Sequence, residues 1–201
     1  MRKTEFNSLI KALTKELPGF AVKGSLMFIP PCRHLLRGIY FEPSAADKRS
    51  FYVTVFVLPL FVPTDHIYFN LGERIGISWN ADDTDLLPEL TESLKREALP
   101  FLNSMGSLQG LTEASIHNSP DARTQQAIAY GLAVKGDIEQ ALVALDLLIL
   151  SLEVEFPWQQ NIKDQAQALR TALTENPSLA MRWLQTWEAE TRQHLGLEKF
   201  R

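Results

Sequence analysis

The chain has 201 residues, 45 % of them hydrophobic and 22 % charged, with a formal net charge of −4. That composition belongs to a soluble globular protein of one large domain or two small ones, and the acidic balance argues against a dedicated nucleic-acid binder. A single cysteine, Cys32, rules out an intrachain disulfide framework and any zinc site built mainly of cysteine.

The charge is uneven. Residues 1–37 hold seven Lys/Arg against two Glu, whereas residues 101–201 hold eight basic and twelve acidic groups. The N-terminus, MRKTEFNSLIKALTKEL, has charges throughout and no uninterrupted apolar region of the secretory kind. A cytoplasmic location is therefore expected.

Phe6, Leu9, Ile10, Leu13 and Leu17 follow helical spacing and predict an amphipathic helix over 4–17, stopped by Pro18-Gly19. Phe20–Ile29 reads as one strand with a bulge at Gly24, and Leu35–Glu42 as the next. Phe51–Pro63, FYVTVFVLPLFVP, is apolar at twelve of thirteen positions. It is too short to span a membrane, which takes about 20 apolar residues. Its Phe, Tyr, Val and Thr are strand formers, and its lack of alternation predicts a strand covered on both faces. Pro59 should end the ladder. The second face is to be covered either by the chain's own helices or by another subunit, which keeps a homodimer open. His66–Leu71 and Arg74–Trp79 read as a hairpin around Gly72-Glu73.

From Leu86 onward the periodicity is helical. One helix carrying Leu87, Leu90, Leu94 and Leu102 should end near Ser104–Gly106, with Asp82, Asp83 and Asp85 capping its start. A short helix follows over 107–117, and Ser119-Pro120 reads as an N-cap with proline at the first helical position. Two hairpins complete the chain, 121–134 with 138–154 and 158–175 with 178–195. Gly136 suits the left-handed turn of the first. The helix from Ile138 is apolar nearly all round, and this predicts that it is the central helix of its layer.

The expected fold is α+β: a sheet of about five mainly antiparallel strands with an N-terminal helix, then an all-helical C-terminal half of helical hairpins. A boundary near 104–120 would divide the chain into a sheet domain, 1–106, and a helical subdomain, 107–201.

Two resemblances attach to these segments. AIAYGLAVKGDIEQALVALDLL, with Ala129 and Ala141 at the approach of its helices, resembles a single tetratricopeptide-type hairpin at about 121–154. Arrays of that kind need three or more copies, so a generic helical hairpin stands beside it. RGIYFEPS (Arg37–Ser44), then FVLPLFVP, then Trp79, then ALPFL is similar to an uncharacterised bacterial protein family of unknown function. That resemblance implies a bacterial, cytoplasmic α+β protein and brings no activity or cofactor with it.

Candidate chemistry is sparse. Arg33, His34 and Arg37, joined by His66, could form an anion site, since guanidinium and imidazole groups match phosphate or carboxylate; a solvated loop before a strand is the competing reading. Cys32 with His34 could form a nucleophile–base pair. Asp65-His66 could supply acid and base. Asp82, Asp83 and Asp85 could hold a divalent cation, though the calcium-loop pattern is absent and no metal site is assigned. No dinucleotide, P-loop, metalloprotease or nucleophile-elbow motif occurs, and no cofactor is implied. Catalytic residues are not identified. The leading expectation is a non-catalytic interaction or regulatory protein, immunity-like in kind, with a protein partner. The alternative is an enzyme or small-anion binder using Arg33, His34, Arg37 and His66. Neither membrane nor nucleic acid is expected as a partner.

Overall fold

A computed structural model describes residues 3–115 and 121–201. The chain forms two compact units, Met1–Leu58 with Leu71–Gly106 and Phe200–Arg201, and Pro59–Asn70 with Ser107–Lys199.

The first unit is the sheet unit. Helix α1 (Lys3–Glu16) buries Phe6, Ile10 and Leu13, followed by Leu17, the stripe expected from i, i+4, i+7 spacing. Phe6 meets Phe41 and Phe51 edge-to-face at 6.1 and 5.8 Å, which joins the helix to the sheet through aromatic contacts. The sheet has six strands: β1 (Ala21–Lys23), β2 (Leu26–Phe28), β3 (Leu35–Pro43), β4 (Ser50–Pro59), β5 (Gly72–Arg74) and β6 (Trp79–Asn80). Their order is β1-β2-β3-β4-β5, with β6 also on β4. The pairs β1–β2, β2–β3, β4–β5 and β4–β6 are antiparallel. The α+β class, the N-terminal helix and the helical second half are as expected.

Three local expectations are corrected. Residues 20–29 are two strands rather than one bulged strand. Gly24 has φ 59°, and Lys23 faces Leu26 across the two-residue turn Gly24-Ser25, a loop whose twist suits a tight hairpin. Residues 66–71 form no strand, and Gly72-Glu73 is part of β5 instead of a turn. β5 and β6 each pair with β4, through Thr54↔Arg74 to Phe56↔Gly72 and through Ser50↔Asn80 and Phe51↔Trp79. Both run antiparallel to β4, so the chain keeps its direction between them; the ladder is interrupted around Gly76, at φ 69°, where the Trp79 indole N–H donates to the Ile75 carbonyl at 2.9 Å.

The apolar run is core. Phe51, Val53, Val55–Leu58 and Leu60–Val62 are each fully buried within the chain. Its first half does alternate: Tyr52 and Thr54 are half-buried, and the Arg74 guanidinium lies 4.2 Å over the Tyr52 ring. Both faces are covered only from Val55. The strand ends at Pro59, as a residue without an N–H requires, and the chain passes there from the first unit to the second.

The helix that follows runs as α2 (Leu86–Ser93), a π-helical turn over Leu94–Ala98, and α3 (Leu99–Ser104). The wide turn lies just ahead of Pro100, where an α-helix would lose a hydrogen bond and clash with the carbonyl four residues back. Asp85 occupies the N-cap position without a side-chain cap bond. Asp82 pairs with Arg49, and Asp83 accepts from the Asp85 N–H at 3.1 Å. The three aspartates are thus divided between an ion pair and the turn ahead of the helix.

The second unit holds α4 (Leu108–Ser115), α5 (Ala122–Lys135), α6 (Ile138–Ser151), α7 (Pro157–Glu175) and α8 (Pro177–His194). The expected Ser119-Pro120 cap lies outside the described residues; α5 is capped by Asp121, whose carboxylate accepts from the N–H groups of Arg123 and Thr124 at 2.9 and 3.2 Å. Gly136, at φ 95°, closes α5 in the left-handed conformation. Asp137 starts α6 without a side-chain cap bond and pairs with Lys135 at 2.8 Å instead.

The central helix is α5, not α6. It packs against α4, α6, α7 and α8, and Ala127, Ala129, Gly131 and Ala133 are buried along it. Small side chains allow four neighbours to approach one axis. At Gly131, Leu111, Thr112 and Phe61 stand within 3.6 Å of where a Cβ would lie. Tyr130 stacks on Trp187 at 5.6 Å.

Candidate functional site

Arg33 and His34 are exposed in the bend before β3, and Arg37 is half-buried within β3. The Arg37 side chain lies beside Gly106, just past the end of α3; a Cβ on that glycine would stand 3.2 Å from its Cδ and Nη1. Cys32, between the proline pair and this bend, is fully buried, and its N–H donates to the Phe200 carbonyl at 2.6 Å. It lies outside a strand, and no solvent reaches its thiol, which removes the access that a nucleophile needs. These residues belong to the first unit, and His66 belongs to the second.

His66 follows Pro63 in an exposed loop. Its Nδ1 stands 2.7 Å from the Asp65 carboxylate, so the neighbouring side chains do meet once they are out of a strand. The imidazole hydrogen bond, then the backbone N–H, hold the Asp65 carboxyl below its usual range. Within the second unit this pair lines a cleft of about 280 Å³ with Arg123, Glu190 and His194. Two carboxylates there offset the cations. No cluster of three or more His, Cys, Asp or Glu suited to a metal ion occurs among the described residues, and none of their helices is long and apolar enough to cross a membrane.

Among the described residues, three exposed large hydrophobic side chains lie together on α6. Its inner face buries Ala141, Leu145 and Leu148. Its outer face leaves Val143 58 %, Leu147 63 % and Leu150 83 % exposed. The spacing of 143, 147 and 150 puts these three in one stripe. Val154, Phe156 and Trp158, on the segment leaving α6 and entering α7, are partly exposed too. Val143, Leu147, Leu150 and Val154 together present on the order of 400 Å² of surface, the size at which an apolar patch on a single chain is commonly functional.

The stripe borders a groove of about 990 Å³ lined by Thr112, Gln125, Ile128, Leu132, Ala144 and Leu147 among others. It lies wholly in the second unit. On the other side of α6, Asp146 forms a two-point ion pair with Arg170 of α7, and the guanidinium hydrogen bond keeps the Asp146 carboxyl low. Residues 136–162 contain five carboxylates and no Lys or Arg.

None of these α6 residues was singled out from the sequence. The signal was present as all-round apolarity from Ile138 to Leu150, but such a pattern fits a buried helix and an unpartnered one equally. Only the position of α5 separates the two.

The chain matches no family model, no curated protein and no solved structure.

Proposed function

We propose that the protein is an interaction module of regulatory type, in which the outer face of α6 and the adjoining groove dock an amphipathic helix of another protein. One observation carries this reading: three large aliphatic side chains, Val143, Leu147 and Leu150, stand in water on a helix whose other face is core. Their spacing is the anchor pattern of helix-in-groove recognition. The helix has 14 residues, about 21 Å at 1.5 Å per residue, long enough for about four turns of a partner helix. The groove beside it is lined by side chains from α4, α5 and α6 that are already held by the packing of the unit, which lowers the ordering cost of binding.

The anion-binding alternative rests on fewer supports. His66 lines a cleft that contains Asp65 and Glu190, while Arg33, His34 and Arg37 belong to the other unit.

A photo-crosslinking amino acid placed at Leu150, and as a reference at Ile77, which is 91 % exposed in the first unit, tests the reading in the cells that make the protein. A discrete heterologous adduct from position 150, absent from position 77 and suppressed by Val143→Glu, is expected. Indistinguishable patterns from the two positions would overturn it.

A further inference from the structure

Resting on that docking reading, we infer that the helix seated on α6 is basic along its flanks, so that the partner is a cationic amphipathic segment. The inference follows from the charges that border the stripe. Glu139 and Asp146 lie seven residues apart along one flank of Val143, Leu147 and Leu150, the position from which a paired helix is met by its own flanking side chains. Ala144 and Ser151 lie on the other flank and line the groove, which extends across the stripe to Glu139 at the start of α6. Glu113 and Glu139 line the groove, and Glu153 and Glu155 follow as the chain leaves α6. All four glutamates are exposed, and none has an ion-pair partner among the described residues.

The nearby cations are largely committed. Lys135 is held by Asp137 at 2.8 Å, and Arg170 by Asp146. Lys163, seven residues before Arg170 on α7, is the cation left on that side. Four uncompensated carboxylates against one ammonium give the face a negative field, which steers and selects a positive partner.

The same charges exclude two other occupants. In a second copy placed antiparallel on α6, Glu139 would meet the Asp146 flank of its counterpart, acid against acid, with Lys163 the cation left on that side to answer it. An anionic lipid surface would be repelled by the same glutamates.

Two synthetic amphipathic helices of about 20 residues, long enough to hold helical structure, provide the test. They share a leucine seam and carry either Lys or Glu at the flanks. Affinity is read by fluorescence anisotropy, and location by amide-hydrogen exchange. The Lys peptide is expected to bind at least about tenfold more tightly than the Glu peptide at low salt, with the ratio shrinking as salt screens the face. Protection should fall on residues 138–154, and the double variant Glu139→Lys/Glu153→Lys should reverse the preference.

Equal affinities with protection on α6, or an unchanged preference in the double variant, would overturn the basic partner and leave the docking face standing. No binding of either peptide would remove both. Protection elsewhere would show general attraction of cations to an acidic protein and defeat the inference. A concentration-dependent dimer dispersed by Leu150→Glu would make the occupant a second copy.

Discussion

Leu148 and Leu150 are the same residue type, two positions apart on one helix, and the structure assigns them opposite roles. Leu148 is fully buried, and Leu150 is 83 % exposed. Truncating a buried leucine removes its transfer free energy and leaves a cavity, so Leu148→Ala should cost about 2–5 kcal/mol. Full burial of a leucine is worth about 1.5–3 kcal/mol; with about one-sixth of that realised at position 150, and with Ala at least as good a helix former, Leu150→Ala should change stability by no more than about 0.5 kcal/mol. For a chain of this size a kilocalorie shifts the melting midpoint by about 2–4 °C. The first variant should therefore melt about 4–20 °C lower and the second within about 2 °C of the parent. Urea titration followed by tryptophan fluorescence suits the comparison, because Trp158, Trp183 and Trp187 all lie in the second unit. A loss above about 2 kcal/mol from Leu150→Ala would refute the reasoning, since it would mean that the outer face of α6 is covered in the free protein. If that loss grew with protein concentration, the cover would be a second copy.

Three further outcomes follow from the geometry. At Asp121 burial raises the carboxyl pKa, but the Thr124 hydroxyl, the Asn70 side chain and the Thr124 and Arg123 N–H groups outweigh it, and the value falls below the usual 3.8. A lowered folded value contributes stability above the unfolded pKa and loses it as pH falls through the folded one; Asp121→Ala should cost about 1 kcal/mol at neutral pH and flatten the acid limb of a stability–pH curve below about pH 4. On α8 the pair Glu188–Arg192 is almost sealed from solvent, so Glu188→Ala, which removes the carboxylate facing the buried guanidinium, should destabilise by up to about 3–5 kcal/mol, whereas Glu188→Leu with Arg192→Met should recover most of it in calorimetry. The Cys32 thiol should resist a disulfide reagent in the native state and react at the rate of opening, so fast native labelling would contradict its burial.

Long periodic segments were legible because their burial comes from their own face. Phe6, Ile10 and Leu13 define α1, and Phe51–Leu58 a strand, whatever else the chain does. Short elements were not, because each depends on a partner. β5 has three residues and β6 two, and each exists only as an addition to β4, so alternation within them carries little information. Gly24 is compatible with a bulge and a hairpin alike; its positive φ and the Lys23↔Leu26 pairing decide between them. The candidate site failed for a related reason. Arg33, His34, Arg37 and His66 are chemically expressive residues, and residue type drew attention to them. The α6 stripe is made of residues that are ordinary anywhere except at 58–83 % exposure.

The exchange of roles between α5 and α6 has a volumetric cause, and it bears on function. A helix touched by four others must bring their axes close, and interiors packed at crystal-like density leave no room for bulky side chains on every side. α5 meets that condition with Ala127, Ala129, Gly131 and Ala133 despite only modest apolarity. α6, with its leucines all round, is too wide to take the same place and is left at the margin between α5 and α7. There Leu150 contributes little to folding and Leu147 only part of its burial, while both add to the risk of non-specific association. Polar residues at 143, 147 and 150 would serve the isolated fold equally well and keep it more soluble. The groove beside them and the excess of carboxylates around them give the stripe shape and charge as well as apolarity. The cationic amphipathic helix proposed as the occupant would use all three.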